Sequence, residues 1–284
     1  MKFEFIKHHR DEFPVRVMCH LFGVSSSGFY GWLKRPVSQR ELDNQHLLAH
    51  IEYFHQRSRQ TYGSPRIHAD LQDRGMAASR KRVARLMRLH GIRPRQKRRF
   101  KVTTKADPTR SVMPNLLAQD FSAEAINEKW VADITYIATG EGWLYLGAIL
   151  DVYSRQIVGW SMSAHLHKKL VEDAFKMAIG KRSISGKLIH HSDKGSQYTS
   201  HDYLKLLKDN HIQVSMSGTG NCYDNAMMES FFATLKTECA FERYNTRPEA
   251  RQSIFEYIEV WYNRLRRHSA LGYLSPEQFE QPVA

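Results

Sequence analysis

Cysteine is scarce: the chain has three, Cys19, Cys222 and Cys239, among 284 residues. An odd number without paired CxxC units suggests neither a disulfide framework nor a zinc ribbon, and suits a reducing compartment. His8, His9, Cys19 and His20 lie near one another, but their spacing matches no zinc finger. Long apolar runs are also lacking. Nothing approaches the eighteen or more residues of a membrane span, and the N-terminus carries no apolar signal core, so a cytoplasmic protein without a membrane partner is expected. Acidic residues are short in one part only: residues 1–112 hold 24 Lys and Arg against 9 Asp and Glu, whereas residues 113–284 hold 18 against 20. The formal charge of +13 is therefore an N-terminal surplus. That asymmetry favours a basic module that grips nucleic acid, joined to a near-neutral catalytic one, over an ordinary solvated basic surface.

What is present follows the same division. Val15, Met18 and Phe22 recur at helical spacing and stop at Gly23, and a second short helix can start at Ser25 and bury Phe29, Trp32 and Leu33. This is the outline of a helix-turn-helix, although any small αα-hairpin reads alike. Helices are expected over about 42–57, 65–74 and 79–90. In the last, Val83, Leu86, Met87 and His90 make an apolar stripe, and Arg80, Lys81, Arg82, Arg85 and Arg88 fill much of the rest. Arg95, Lys97, Arg98 and Arg99 follow. So many cations exceed what solubility requires and point to contacts with the DNA backbone.

Residues 100–127 read as a linker, and from Trp130 the pattern changes to strands. Three are expected at 130–138, 143–151 and 155–163, joined by turns short enough for antiparallel hairpins. A helix over 168–180, a strand at 187–191, a helix over 200–210, a strand at 212–216 and helices over 224–239 and 248–266 complete the order. A meander followed by alternating units is that of an α/β ribonuclease-H-like domain with a mixed five-stranded sheet. The expected segments are thus 1–36, helix-turn-helix-like; 37–99, basic and helical; 100–127, linker; and 128–284, catalytic core with a helical extension.

Three acids stand in unusual surroundings. Asp133 lies inside the β-branched run Trp130-Val-Ala-Asp-Ile-Thr-Tyr-Ile137, Asp193 closes His190-His-Ser-Asp, and Glu229 sits among Met227, Met228, Phe231 and Phe232. The fold expected puts Asp133 on the central strand, Asp193 at the end of its neighbour, and Glu229 with Lys236 on one helix face. Carboxylates without a matching His/Cys set suit two magnesium or manganese ions, the arrangement that cleaves and transfers phosphodiesters. Singly each acid has an ordinary reading, as an exposed strand residue, a turn residue or a solvated helix position. Asp151 is expected to form a turn and Asp224 to cap a helix, while Glu238 falls opposite Glu229. His190 or His191 could orient water or simply be packed.

Trp130-x-x-Asp-Ile-Thr-Tyr, His191-Ser-Asp-x-Gly-Ser-Gln-Tyr198, Gly220-Asn-Cys-Tyr-Asp-Asn-Ala-Met-Met-Glu-Ser-Phe-Phe232 and Lys236 resemble the integrase-type core of bacterial insertion-sequence transposases, the OrfB type of the family numbered three. The resemblance extends to Tyr262-Asn-Arg-Leu-Arg-Arg-His268 and to the N-terminal helices. It implies that Asp133, Asp193 and Glu229 form a metal-binding DDE triad followed by the basic Lys236. It implies metal-dependent cleavage at the ends of an element, giving a 3′-hydroxyl that attacks double-stranded target DNA, by a homo-oligomer assembled on the terminal inverted repeats at the nucleoid. Ser217-Gly-Thr-Gly220 departs from the family, where a basic residue often precedes Gly-Asn. This reading frame is commonly fused by frameshifting to an upstream one. With its own Met1 and no leucine zipper, the chain is a candidate for the downstream part. A nuclease that cuts without joining, or a DNA-binding regulator without chemistry, are the competing functions.

Overall fold

The computed structural model describes residues 2–95, 113–218 and 222–281. Two compact units divide the chain, Met1–His50 and Ile51–Ala284.

The first unit is built from α1 (Lys2–His8), α2 (Val15–Leu21), α3 (Ser26–Lys34) and the start of α4 (Gln39–Arg57). Gly23, at φ 61°, makes the turn that α2 and α3 need, and the Ser25 hydroxyl caps α3 by accepting from Gly28 N at 3.0 Å. Ile6, Met18, Cys19 and Phe29 form its core, with Phe3, Phe22 and Trp32 packed around them. The helix-turn-helix outline is present, and α1 completes it with Phe3 and Ile6, a contribution the sequence reading lacks.

The second unit opens with the rest of α4, whose Ile51 and Phe54 are buried. Next come α5 (Ser64–Asp73) and α6 (Arg80–Leu89), the latter capped by Ser79 and buried along Val83, Leu86 and Met87. His90, expected on that stripe, is instead the exposed residue at the end of α6. A five-stranded sheet follows, made of β1 (Lys129–Thr139), β2 (Gly142–Asp151), β3 (Ile157–Ser163), β4 (Ile189–Ser192) and β5 (Gln213–Met216). Its order is β3-β2-β1-β4-β5, antiparallel across the first three strands and parallel from β1 through β4 to β5. Of the expected linker, residues 113–127 are irregular; Leu116 N donates to Ser215 Oγ of β5 at 2.8 Å, and Asn127 N to Asp151 at 2.7 Å.

Strand alternation gives β1 two different faces. Trp130 and Ala132 join Ile149, Val158 and Phe175 in a core covered by α7 (Lys168–Lys181) and α8 (His201–Asp209). Asp133 turns to the other side, toward α9 (Ala226–Glu238). After α10 (Arg247–Phe255) the chain widens into a π-helical turn, Glu256–Tyr262, and ends on α11 (Pro276–Glu280). The expected single helix over 248–266 is thus shorter, because the wider turn buries Tyr257, Ile258, Trp261 and Tyr262 together. Beyond it, Arg267 ties α5 into the unit. Its Nε donates to Asp70 at 2.6 Å, its Nη2 pairs with Asp73, and its backbone N donates to the Tyr62 hydroxyl at 2.7 Å.

Candidate active site

Asp133, Asp193, Glu229 and Lys236 line a single cleft of about 770 Å³. The first acid sits mid-strand on β1, where its Oδ1 accepts from Ile134 N at 2.7 Å. The second follows the last residue of β4. Its Oδ1 accepts from Gly195 N at 2.9 Å, and a Cβ at Gly195 would fall at that same distance from Oδ1, so a side chain there would push the carboxylate aside. β1 and β4 are parallel neighbours, which is what brings the two carboxyls to one end of the sheet. Glu229 and Lys236 come from α9, separated by two helical turns and therefore on one side.

The start of α9 is fixed by Asn225, whose Nδ2 donates to the Ala132 carbonyl at 3.0 Å, one residue from Asp133. No local pattern in the sequence signals this role for Asn225. Asp224 does not cap α9 as expected. It is buried in the preceding 3-10 turn, where Oδ2 accepts from Asn115 Nδ2 at 2.9 Å and Gly218 N at 2.8 Å. Asp151 does form a turn: its oxygens accept from Tyr153 N, Ser154 N and Asn127 N, and from Trp130 Nε1.

Electrostatics single out Asp133. Burial first, then the charge of Asp193, then that of Glu229, push its carboxyl up to about 8, against the Ile134 hydrogen bond and the cation of Lys236. Burial also raises Asp193 and Glu229. Lys236 Nζ lies 5.2 Å from the centre of the Tyr136 ring, a cation–π contact at the mouth of the cleft. Repelling carboxylates in a low-dielectric cleft call for a cation, and an all-oxygen donor set fits a hard divalent ion. Among the described residues, no three acidic, histidine or cysteine side chains converge tightly enough to hold one ion. The acids share a cleft without closing on one centre.

The two strand histidines are packed. His190 accepts or donates at Nε2 with the Tyr203 hydroxyl at 3.0 Å, and His191 bridges Ser215 and Ser217. Burial lowers them to about 3 and about 4, and lowers His268 to about 2 with help from Arg266, Arg66 and Arg155. A histidine kept neutral by the fold makes the unfolded chain the better proton binder below its ordinary value of 6.5. Its stabilising contribution is therefore full above that value and shrinks as pH falls toward the folded-state value. Each such group should remove about 2 kcal/mol between pH 7 and pH 5. Urea unfolding of His190→Phe across that interval should show a loss smaller than the wild type by about that amount, and parallel pH profiles would contradict it.

Of the cations expected to contact DNA, Arg80, Lys81, Arg85 and Arg88 are exposed on α6 and Arg82 is half-buried, while Arg95 is exposed after it. Lys97, Arg98 and Arg99 lie outside the described residues. No helix among the described residues is long and apolar enough to cross a membrane.

Comparison with known families matches residues 123–222 and 210–276 to models described as integrase core domain, and residues 41–100 to an HTH-like domain. The HTH-like match thus falls on α4 to α6, the segment read as basic and helical, and not on α2 and α3. A Shigella sonnei protein, "Insertion element IS600 uncharacterized 31 kDa protein", is 46% identical over 93% of this chain and 97% of that protein. The Escherichia coli K12 "Transposase InsF for insertion sequence IS3A" is 43% identical over 99% of this chain and 98% of that one. Among solved structures, a chain of the simian T-cell lymphotropic virus intasome superposes with a TM-score of 0.45 and 13% identity, covering 82% of this chain and 75% of that one. With relatives this similar over nearly its whole length, and with the ribonuclease-H-like sheet order seen here, the chain belongs to the IS3 family of insertion-sequence transposases, integrase-core enzymes of DNA transposition.

Proposed function

We propose that the cleft is the catalytic centre, with Asp133, Asp193 and Glu229 as the metal-binding acids and Lys236 as a contact to DNA phosphate. The observation that carries this reading is that all four line one cleft, where burial and the other acids raise the Asp133 carboxyl. Two magnesium or manganese ions, when bound, supply activation of the attacking oxygen and stabilisation of the leaving oxygen. The protein's own part is placement. β1 and β4 hold Asp133 and Asp193 on rigid strands, and α9 brings Glu229 and Lys236 from the facing side. Gly195 N donates to the Asp193 carboxylate and orients it, and Asn225 ties α9 to the strand that carries Asp133.

The reaction is cleavage at the element's ends followed by attack of the 3′-hydroxyl on target DNA. In this reading residues 128–284 carry the chemistry and residues 100–127 link it to the basic helices of 37–99, with residues 1–36 adding a helix-turn-helix-like contact. Arg80, Lys81, Arg82, Arg85, Arg88, Arg95, Lys97, Arg98 and Arg99 track the backbone of the terminal inverted repeats, as a cationic helix followed by a cationic run does. The working form is a homo-oligomer on DNA in the cytoplasm, at the nucleoid, alone or fused to the upstream-frame protein.

The test is a strand-transfer assay on labelled element ends with a supercoiled target plasmid. Asp193→Asn and Glu229→Gln should each give neither cut nor joined product. Full activity in either variant removes that acid from the site, and cutting without joining by the wild type makes the protein a nuclease.

A further inference from the structure

Behind α9 lies a second cavity, of about 290 Å³, with a mainly polar, cationic lining. Arg66, Arg95, Arg155 and Arg266 reach it, and Glu238 is the one acid on its described wall. Glu238 is already spent: Arg266 holds both its oxygens, with contacts from 2.8 to 3.0 Å, while Tyr257 and Trp261 donate to it as well. Three guanidinium groups are left facing the cavity without an acid partner among the described residues. His268, also on the wall, keeps a buried Nε2 with no partner among the described residues. Burial lowers both His268 and Arg66, and like charge adds to it, from Arg266, Arg66 and Arg155 on His268 and from Arg266 on Arg66.

A cluster of like charges in a walled cavity is unfavourable unless an anion completes it. The volume suits a tetrahedral oxyanion with accompanying water, at about 30 Å³ per water. Arg155 is held there by a backbone in the left-handed region, φ 60°, closed by its N donating to Asp151 O at 2.8 Å. Ser230, the residue after Glu229, lines both this cavity and the acid-lined cleft. The two therefore flank α9 at the same level.

We infer that this cavity binds a phosphate group, and that its ligand is a backbone phosphate of the same DNA whose reacting phosphodiester lies in the acid cleft. The inference rests on the catalytic reading given above. Arg95, Arg155 and Arg66 clamp that phosphate, so the strand is gripped on both flanks of α9. A free polyphosphate has the same chemistry but would have no reason to sit beside a DNA-cleaving cleft.

Two measurements on the full chain, in chelator so that no cutting occurs, test this. Binding of a short mixed-sequence duplex is followed by anisotropy across a salt series, and binding of pyrophosphate by calorimetry. The wild type should bind pyrophosphate, and DNA should displace it. Arg95→Gln with Arg155→Gln should lose pyrophosphate binding, weaken DNA binding about 10-fold, and reduce the salt slope by about one. Arg95→Lys with Arg155→Lys should retain the slope. If the double glutamine variant does not fold, Arg155→Gln alone carries the comparison. No pyrophosphate binding by the wild type overturns the site. An unchanged DNA salt slope in a folded variant that has lost pyrophosphate overturns DNA as its ligand. Either failure leaves the catalytic reading intact, since that stands on Glu229→Gln in strand transfer.

Discussion

Replacing Asp133 with asparagine is expected to abolish cleavage and joining, by about 10³-fold or more, while making the metal-free protein more stable. Asparagine keeps the oxygen that accepts from Ile134 N at 2.7 Å and nearly the same shape. What it removes is an acid whose ionisation burial, Asp193 and Glu229 all oppose, raising its pKa to about 8. A gain of about 1 kcal/mol or more is reasonable for relieving such a site. Addition of magnesium should raise the melting temperature of the wild type more than that of the variant, because the variant lacks one of the acids that repel each other without a cation. Thermal melts with and without magnesium, beside the strand-transfer assay, check both halves. A variant that is inactive and also less stable would show that Asp133 holds the fold as well as the chemistry.

The second large effect lies outside the cleft. Glu238 is 6% exposed and joined to Arg266, also 6% exposed, through a bidentate pair backed by Tyr257 and Trp261. Glu238→Ala leaves a buried guanidinium without its carboxylate, a change that costs about 3–5 kcal/mol. For a unit of this size that is a fall of about 10 °C or more in melting temperature. The pH dependence has a definite sign. Arg266 and the hydrogen bonds hold the Glu238 carboxyl below its ordinary range despite burial. Its stabilisation is therefore present above the unfolded value and lost as pH falls through the lower folded value. Glu238→Leu with Arg266→Met, which removes both charges, should recover most of the loss. A deficit under about 1 kcal/mol in the single variant would mean that Arg266 finds water there, contrary to its burial.

The parts of the molecule that were legible in the sequence are those written in local pattern. β1 to β3 are long apolar and β-branched runs broken by tight turns, and the acids at positions 133 and 193 stand out because such runs rarely carry charge. The signal from α1 is too short: seven residues show only Phe3 and Ile6 on one side, and it is Phe29 and Trp32 that give them a partner. The stop after α10 is set by packing at Trp261 and Tyr262, and by Asn263, whose side chain exchanges hydrogen bonds with both backbone groups of Ile157. No local rule anticipates that pairing. Asp224 was misread for a similar reason: it satisfies Asn115, more than a hundred residues earlier. The arginine cavity was invisible because its cations come from positions 66, 95, 155 and 266, and only the fold makes them neighbours.

The tie between Arg267 and Asp70, Asp73 and Tyr62 bears on how such a chain can change over time. Residues nearly two hundred positions apart share one charge balance, so reversal or loss at either end leaves a largely buried ion without its counterpart. Exchange of the segment carrying α5 between relatives would have to bring the matching end of the chain with it. Recombination within this family should therefore respect that pair as one inherited block, although the two halves of the block lie on opposite sides of the segment that carries the three acids.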